Sequence, residues 1–275
     1  MIYLLLSILC SLTIAIILKK ASGSIKNTVA MFMVNYIVCV ICGLYFNGIP
    51  IINKESSFSL YLGIFSGFMY LASFLVSAHD ISKNGVVMQT VFAKLGVIVA
   101  LLISFFIFNE VFNLKQGTGI IIALLGIILI YFEKGSGSLV TSRKWLIINL
   151  LASGMTESMV SLYNYFGNPL YKDQFLLLNF CFALLFSFII VIIQKKSISK
   201  YEILYGLGIG VPNYFSARMM MLALNTVPSI IAHPIVSVGS IASITLVGHF
   251  IFKEELSIRK WIALGMIILA IIFLS

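Results

Sequence analysis

The chain has 275 residues, of which 61% are hydrophobic and only 10% charged, with a net charge of +9. Together with a mean hydropathy of +1.11, this leaves too little polar surface to wrap a water-soluble domain of this length, so the solvent is lipid. The basic excess does not read as a nucleic-acid surface, because sixteen of the eighteen Lys and Arg residues lie between apolar runs or at their ends.

Ten apolar segments follow in chain order, at 2–18, 28–46, 59–78, 86–108, 116–132, 145–164, 175–193, 203–223, 229–250 and 258–274. Most reach the length of about 17–25 residues that a helix needs to cross a hydrocarbon core of roughly 30 Å. Strict period-two alternation is missing, and a spanning structure must satisfy its own backbone, so the segments are expected to be helices, not barrel strands. Met1 leads directly into the first segment without a basic leader or a small-x-small cleavage site, which predicts that this segment is retained as a helix. Cys39 and Cys42 sit three apart on the second segment, a spacing that suits small apolar packing better than a metal or redox pair. No metal site and no cofactor are expected.

The fourth segment closes on Phe106-Ile107-Phe108-Asn109-Glu110, and the ninth closes on Phe250-Ile251-Phe252-Lys253-Glu254, 144 residues later. The same offset pairs Asn35 with Asn179, Tyr61 with Tyr205 and Tyr70 with Tyr214. The chain therefore reads as a duplication, with a first repeat over 1–132, a polar linker at 133–144 carrying Gly135-Ser136-Gly137-Ser138, and a second repeat over 145–275. Five crossings per repeat is an odd number, so the second copy must be upside down relative to the first, as in secondary transporters. The expected fold class is an all-α membrane protein of ten transmembrane helices in two inverted five-helix repeats.

Thirteen basic residues fall in the odd-numbered connections (among them Lys19, Lys20, Arg143, Lys195 and Arg259) and three in the even-numbered ones (Lys54, Lys115 and Lys172). The positive-inside rule makes the odd connections cytoplasmic and puts both termini outside a multi-pass cell-membrane protein.

The Phe-x-Phe-x-Glu closure, followed about nine residues later by a small residue (Gly119, Ala263) that opens a helix rich in Gly and aliphatics, resembles the drug/metabolite transporter superfamily. The similarity is to its ten-helix members built from two EamA-type repeats, and it is strongest over 59–132 and 203–275. The resemblance implies a central cavity lined mainly by helices 1, 3, 4, 6, 8 and 9, with helices 5 and 10 peripheral, and alternating access to the two sides. It also implies that Glu110 and Glu254 are the acidic positions of the family motif. Lying near the N-termini of helices 5 and 10, they are expected to be structural anchors favoured by the helix dipole.

Three ionisable residues fall inside the segments: Lys94, Glu157 and Arg218. Each costs roughly 2.5–3.5 kcal/mol at a helix centre on insertion scales and so needs a partner, water or a function. Glu157 belongs to a stripe with Ser153, Ser161 and Asn164, and the first repeat has Thr13 at its place. It reads either as a protonation or amine site in a cavity, or as the buried partner of Lys94 or Arg218. Arg218 shares a helix face with Tyr214, beside Asn213 and after Pro212, an arrangement that suits a carboxylate or phosphate; the alternative is a side chain that snorkels. Lys94 has the same two readings. His233 and Ser237 form a further stripe, and Gln89 matches His233 across the repeat. Tyr70 and Tyr214 are candidates for an aromatic platform. Asn35 and Asn179, present in both copies, are expected to join helices.

The expectation is a secondary transporter of a small polar metabolite, an amino acid or another zwitterionic or anionic solute, coupled to protons through Glu157. The alternative is a proton-coupled exporter of cationic or hydrophobic amines, with a lipid flippase as a third reading. No catalytic set is present, so an enzyme is not expected. The partners are the substrate, protons and the bilayer, with no nucleic acid, and one chain holds both halves of the pair.

Overall fold

Polar residues decide where the helices begin. The computed structural model describes residues 1–21, 23–131, 142–195, 197–251, 253 and 256–274. Among them are ten α-helices and a single 3-10 turn, with no strand: α1 (Ile2–Ala21), α2 (Thr28–Asn47), α3 (Ser57–Leu95), α4 (Val97–Phe106), α5 (Leu114–Tyr131), α6 (Arg143–Phe166), α7 (Lys172–Gln194), α8 (Lys200–Ala223), α9 (Ser229–Phe250) and α10 (Ile258–Leu274). The chain is thus an all-α membrane protein of two five-helix repeats. Asn27 starts α2 by accepting the Ala30 N–H at 3.2 Å. Ser199 and Glu202 form a capping box at the start of α8. The capping box carries α8 beyond its apolar stretch, so that it begins three residues before the predicted 203; α6 and α7 likewise begin two and three residues before 145 and 175. Of the 133–144 linker, residues up to 141 lie outside the described ones.

One boundary is corrected. A loop was expected between 78 and 86, but helical hydrogen bonding continues through all 39 residues of α3 and breaks only at Gly96. At 1.5 Å per residue α3 extends over roughly 58 Å, nearly twice a hydrocarbon core. The predicted third and fourth segments (59–78 and 86–108), found as apolar stretches Ser57–Ser77 and Gln89–Phe106, are joined by helix, not loop. The reason is local. Residues 79–88 contain no proline, and Asn84 donates to Asp80 one turn back at 2.5 Å, so nothing there terminates a helix.

The helices gather into two compact units, each built from both repeats. The first unit comprises residues 2–71 and 159–225 and holds α1, α2, α7 and α8 with the first part of α3 and the last part of α6. The second comprises residues 72–158 and 226–275 and holds α4, α5, α9 and α10 with the rest of α3 and α6. Helices equivalent by the 144-residue offset pack on each other inside the units: α2 on α7 in the first, α4 on α9 and α5 on α10 in the second.

Small residues set these approaches, as expected where lipid removes the hydrophobic drive between helices. A Cβ on Gly119 or Gly126 of α5 would press on Phe273 or Ile267 of α10 at 2.9 and 3.1 Å. Around that seam Val97, Ile127, Val238, Ile241 and Ile267 form a dry core. Among the described residues seven stretches, including Ile2–Ala21, Thr28–Asn47 and Ser229–Phe250, are long and apolar enough to cross a bilayer. Leu5, Leu9, Ile41 and Ile268 are more than half exposed and meet lipid.

Candidate functional site

In the first unit α8 is drawn against α2 at two glycines one turn apart. A Cβ on Gly206 would lie 2.6 Å from the Met31 carbonyl, and one on Gly210 would lie 2.3 Å from Val38 Cβ. The contact aligns polar groups: Asn213 Nδ2 donates to Asn35 Oδ1 at 3.2 Å, and Cys39 Sγ donates to the Gly210 carbonyl at 3.3 Å. Gly63 and Gly67 do the same for α3 against Leu178, Asn179 and Phe182 of α7. Both asparagines therefore sit where α2 and α7 receive a glycine pair from α8 and α3. Asn35 Nδ2 and Asn179 Oδ1 are buried without a hydrogen-bond partner among the described residues.

One turn beyond Tyr214, Arg218 donates Nε to Asp173 Oδ1 at 2.9 Å and Nη2 to Asp173 Oδ2 at 3.2 Å. The Arg218 and Asp173 side chains keep 19% and 38% exposure, so the pair is only partly desolvated. The guanidinium carbon lies 3.8 Å from the Phe46 ring centre. Phe46 is nearly parallel to Tyr214, with ring centres 5.9 Å apart. Tyr214 also meets Phe180, and Phe180 meets Tyr70 edge-on at 6.1 Å. Tyr214 is fully buried, yet its hydroxyl has no hydrogen-bond partner among the described residues. Beside Asp173, Lys172 donates to Asn164 Oδ1 at 2.6 Å and to Asn225 Oδ1. Asn164 in turn donates to the Leu224 carbonyl at 3.0 Å. The start of α7 and the ends of α6 and α8 thus place Lys172 on amide oxygens, next in sequence to the acid of the Arg218–Asp173 pair.

In the second unit, α6 is zipped to α3 and α4. Ser77 Oγ donates to Asn149 Oδ1 at 2.8 Å, Asn149 Nδ2 to the Gln89 carbonyl at 2.9 Å, and Ser153 Oγ bridges to the Ala93 carbonyl at 3.0 Å. A Cβ on Gly154 would stand 2.3 Å from the Gly96 carbonyl, so the helix break falls where two backbones touch. Glu157 follows one turn later. Its Oε2 is buried and accepts no hydrogen bond among the described residues, and Lys94 is its electrostatic neighbour. His233 and Ser237 are buried on α9, on either side of Pro234.

The predicted residues therefore divide. Arg218, Tyr214, Asn213, Tyr70, Ser161, Asn35 and Asn179 belong to the first unit; Lys94, Glu157, Gln89, Ser153, His233, Ser237 and Glu110 belong to the second. Ser153 spends its hydroxyl on backbone carbonyls. Glu110 holds a helix terminus, though of α9 and not α5: Oε1 accepts from the Ser229 N–H at 2.9 Å and Oε2 from the Ile230 N–H at 2.7 Å. Glu254 lies outside the described residues.

Three residues escaped the sequence reading. Asp173 and Lys172 carry no signal beyond their place in the first turn of a helix. Glu202 is fully buried and accepts the backbone N–H groups of Lys26, Asn27 and Ser199 at 2.8, 3.0 and 2.8 Å, tying the α1–α2 turn to α8. Its sequence signal is Ser199 three residues before it.

A model of the EamA-like transporter family matches the chain twice, over residues 1–132 and 143–275. An uncharacterized protein of Haemophilus influenzae is 21% identical over 286 residues, covering 95% of this chain and 93% of its own. A protein of Proteus mirabilis named "Probable 4-amino-4-deoxy-L-arabinose-phosphoundecaprenol flippase subunit ArnE" is 33% identical over 61 residues, 22% of this chain and 53% of its own length. A crystal structure aligns over 98% of this chain and 97% of its own with a TM-score of 0.72 at 14% identity, a likeness of fold.

Proposed function

Because the chain belongs to the EamA-like transporter family, we propose that it is a secondary transporter carrying a small zwitterionic or anionic metabolite, such as an amino acid, across the cell membrane by alternating access. The observation that carries this reading is the bidentate hold of Arg218 on a carboxylate. A substrate carboxylate offers the same two oxygens, and Asp173, at a helix start and partly exposed, is able to yield its place. Lys172, the neighbouring residue, adds a further positive charge, and Phe46, exposed and backed by the buried Tyr214 ring, offers an apolar face to the rest of the molecule.

Glu157 is the coupling group in this proposal. A carboxylate with a buried oxygen that accepts nothing among the described residues is a place where a proton is bound and released as access changes sides. The distribution of basic residues, thirteen to three, supports cytoplasmic odd-numbered connections and external termini.

A second reading is a cationic amine as substrate. It is favoured by the same orphaned oxygen of Glu157, since Arg218 is already neutralised by Asp173. Thermal-shift measurements on purified protein with amino acids, organic phosphates, sugars and hydrophobic amines separate the two. Stabilisation by an amino acid or anion that disappears in Arg218→Ala upholds the first reading. Stabilisation by amines alone, lost in Glu157→Gln, replaces it with the second.

A further inference from the structure

Outside these residues the second unit carries an apolar groove of about 470 Å³, lined by Leu102, Phe105 and Phe106 of α4, Phe112 in the following turn, Ile121 of α5 and Ile230 at the start of α9. Among the described residues no polar side chain lines it, and Leu102, Phe105, Phe106, Phe112 and Ile121 are all exposed. In water such a patch would promote association. Here α4 closes a membrane span, Gln89–Phe106, and α5 is an apolar helix, so the groove opens on hydrocarbon.

We infer that this groove seats one acyl chain of a phospholipid, retained as a resident lipid whose phosphate lies near Lys115. A hydrocarbon chain satisfies a wall without donors or acceptors, whereas a polar solute would have to shed its water there for nothing in return. Lys115 is exposed in the first turn of α5, two residues before Gly117 of the lining, at the end where the span gives way to the α4–α5 turn. A basic residue at that level attracts an anionic headgroup. This favours a phospholipid over a hydrocarbon without a phosphate.

The position gives the lipid a consequence. The α4–α5 turn, with Asn109 in the left-handed region at φ 52°, carries Glu110 to the first N–H groups of α9, and Ile230, one of the two residues so held, lines the groove. A chain lying there packs on the joint between the turn and α9. The inference is independent of which substrate is carried.

The test uses protein reconstituted in nanodiscs of phosphatidylglycerol bearing a diazirine in its acyl chain, irradiated, digested and mapped by mass spectrometry. Labelling at Leu102, Phe105, Phe106 and Ile121 several-fold above that at other lipid-exposed positions, such as Leu9, Ile41 and Ile268, is the expected result. Ile121→Trp, which fills the groove from a position already facing lipid, removes that excess and leaves the other positions unchanged. Leu102→Trp serves the same purpose should the first variant fail to fold. Lys115→Glu lowers the excess several-fold. Uniform labelling over the apolar exterior overturns the inference, as does a groove signal that survives both tryptophan variants. So does a cross-link in the groove to a second copy of the chain.

Discussion

Arg218 of α8 and Asp173 of α7, 45 residues apart, share two near-parallel hydrogen bonds of 2.9 and 3.2 Å with the guanidinium stacked on Phe46. The pair is neither exposed enough to be worthless nor buried enough to be permanent. Asp173→Asn should lower the stability of the protein by about 1–2 kcal/mol, between the limits for exposed and buried pairs. Thermal unfolding in detergent reads this directly. The same variant should bind a carboxylate ligand more tightly, by roughly tenfold if the competing acid is worth about 1.4 kcal/mol.

Glu157→Gln keeps the shape of the side chain and removes its titration. In proteoliposomes, wild-type substrate transport should change in rate when a proton gradient is imposed. The variant should still exchange substrate across the membrane but respond to neither the gradient nor the external pH.

Gly210→Ala places a methyl group 2.3 Å from Val38 Cβ, where no side-chain rotation relieves the clash. Overpacking of this sort costs about 1–3 kcal/mol. The melting temperature should fall, with the α2–α8 bond between Asn35 and Asn213 lost first. Gly265→Ala, whose new methyl group meets open space, is the matched control and should leave the melt unchanged.

Glu110→Ala leaves the Ser229 and Ile230 N–H groups without an acceptor. Loss of such a cap costs roughly 0.5–2 kcal/mol. Faster hydrogen exchange at the start of α9 than in the wild type, with α10 unaffected, is the expected pattern.

Much of the architecture was legible because lipid imposes simple rules. The bounds of α9 and α10 follow from the apolar runs 229–250 and 258–274, and the 144-residue offset pairs α2 with α7, α4 with α9 and α5 with α10, which pack on each other, though not α1 or α2 with α8, which also do. The loop at 79–85 was misread because an apolar run ends there, although nothing in His79 to Asn84 stops a helix. Gly63 with Gly67 and Gly206 with Gly210 are small residues one turn apart, a signal for close helix contact that the sequence reading did not use. The site was less legible. Arg218 stood out by its cost in a span, but its partner Asp173 looked like any acid at a helix start, and only the packing of α7 on α8 joins them. Ser153 and Asn164 appeared to share a stripe with Glu157, yet each is engaged by groups that tertiary packing supplies, Ala93 for one and Leu224 and Lys172 for the other.

The central claim is that Arg218 recognises a carboxylate on the substrate. Its most direct test is the ligand-induced melting shift of wild type, Arg218→Ala and Arg218→Lys against a panel of amino acids and their decarboxylated amines. The account predicts that amino acids, and not the matching amines, stabilise the wild type, that Arg218→Ala abolishes the shift and that Arg218→Lys retains only part of it, because an ammonium cannot reproduce the two-pronged contact. An equal shift from the amines, or a shift that persists in Arg218→Ala, would contradict it.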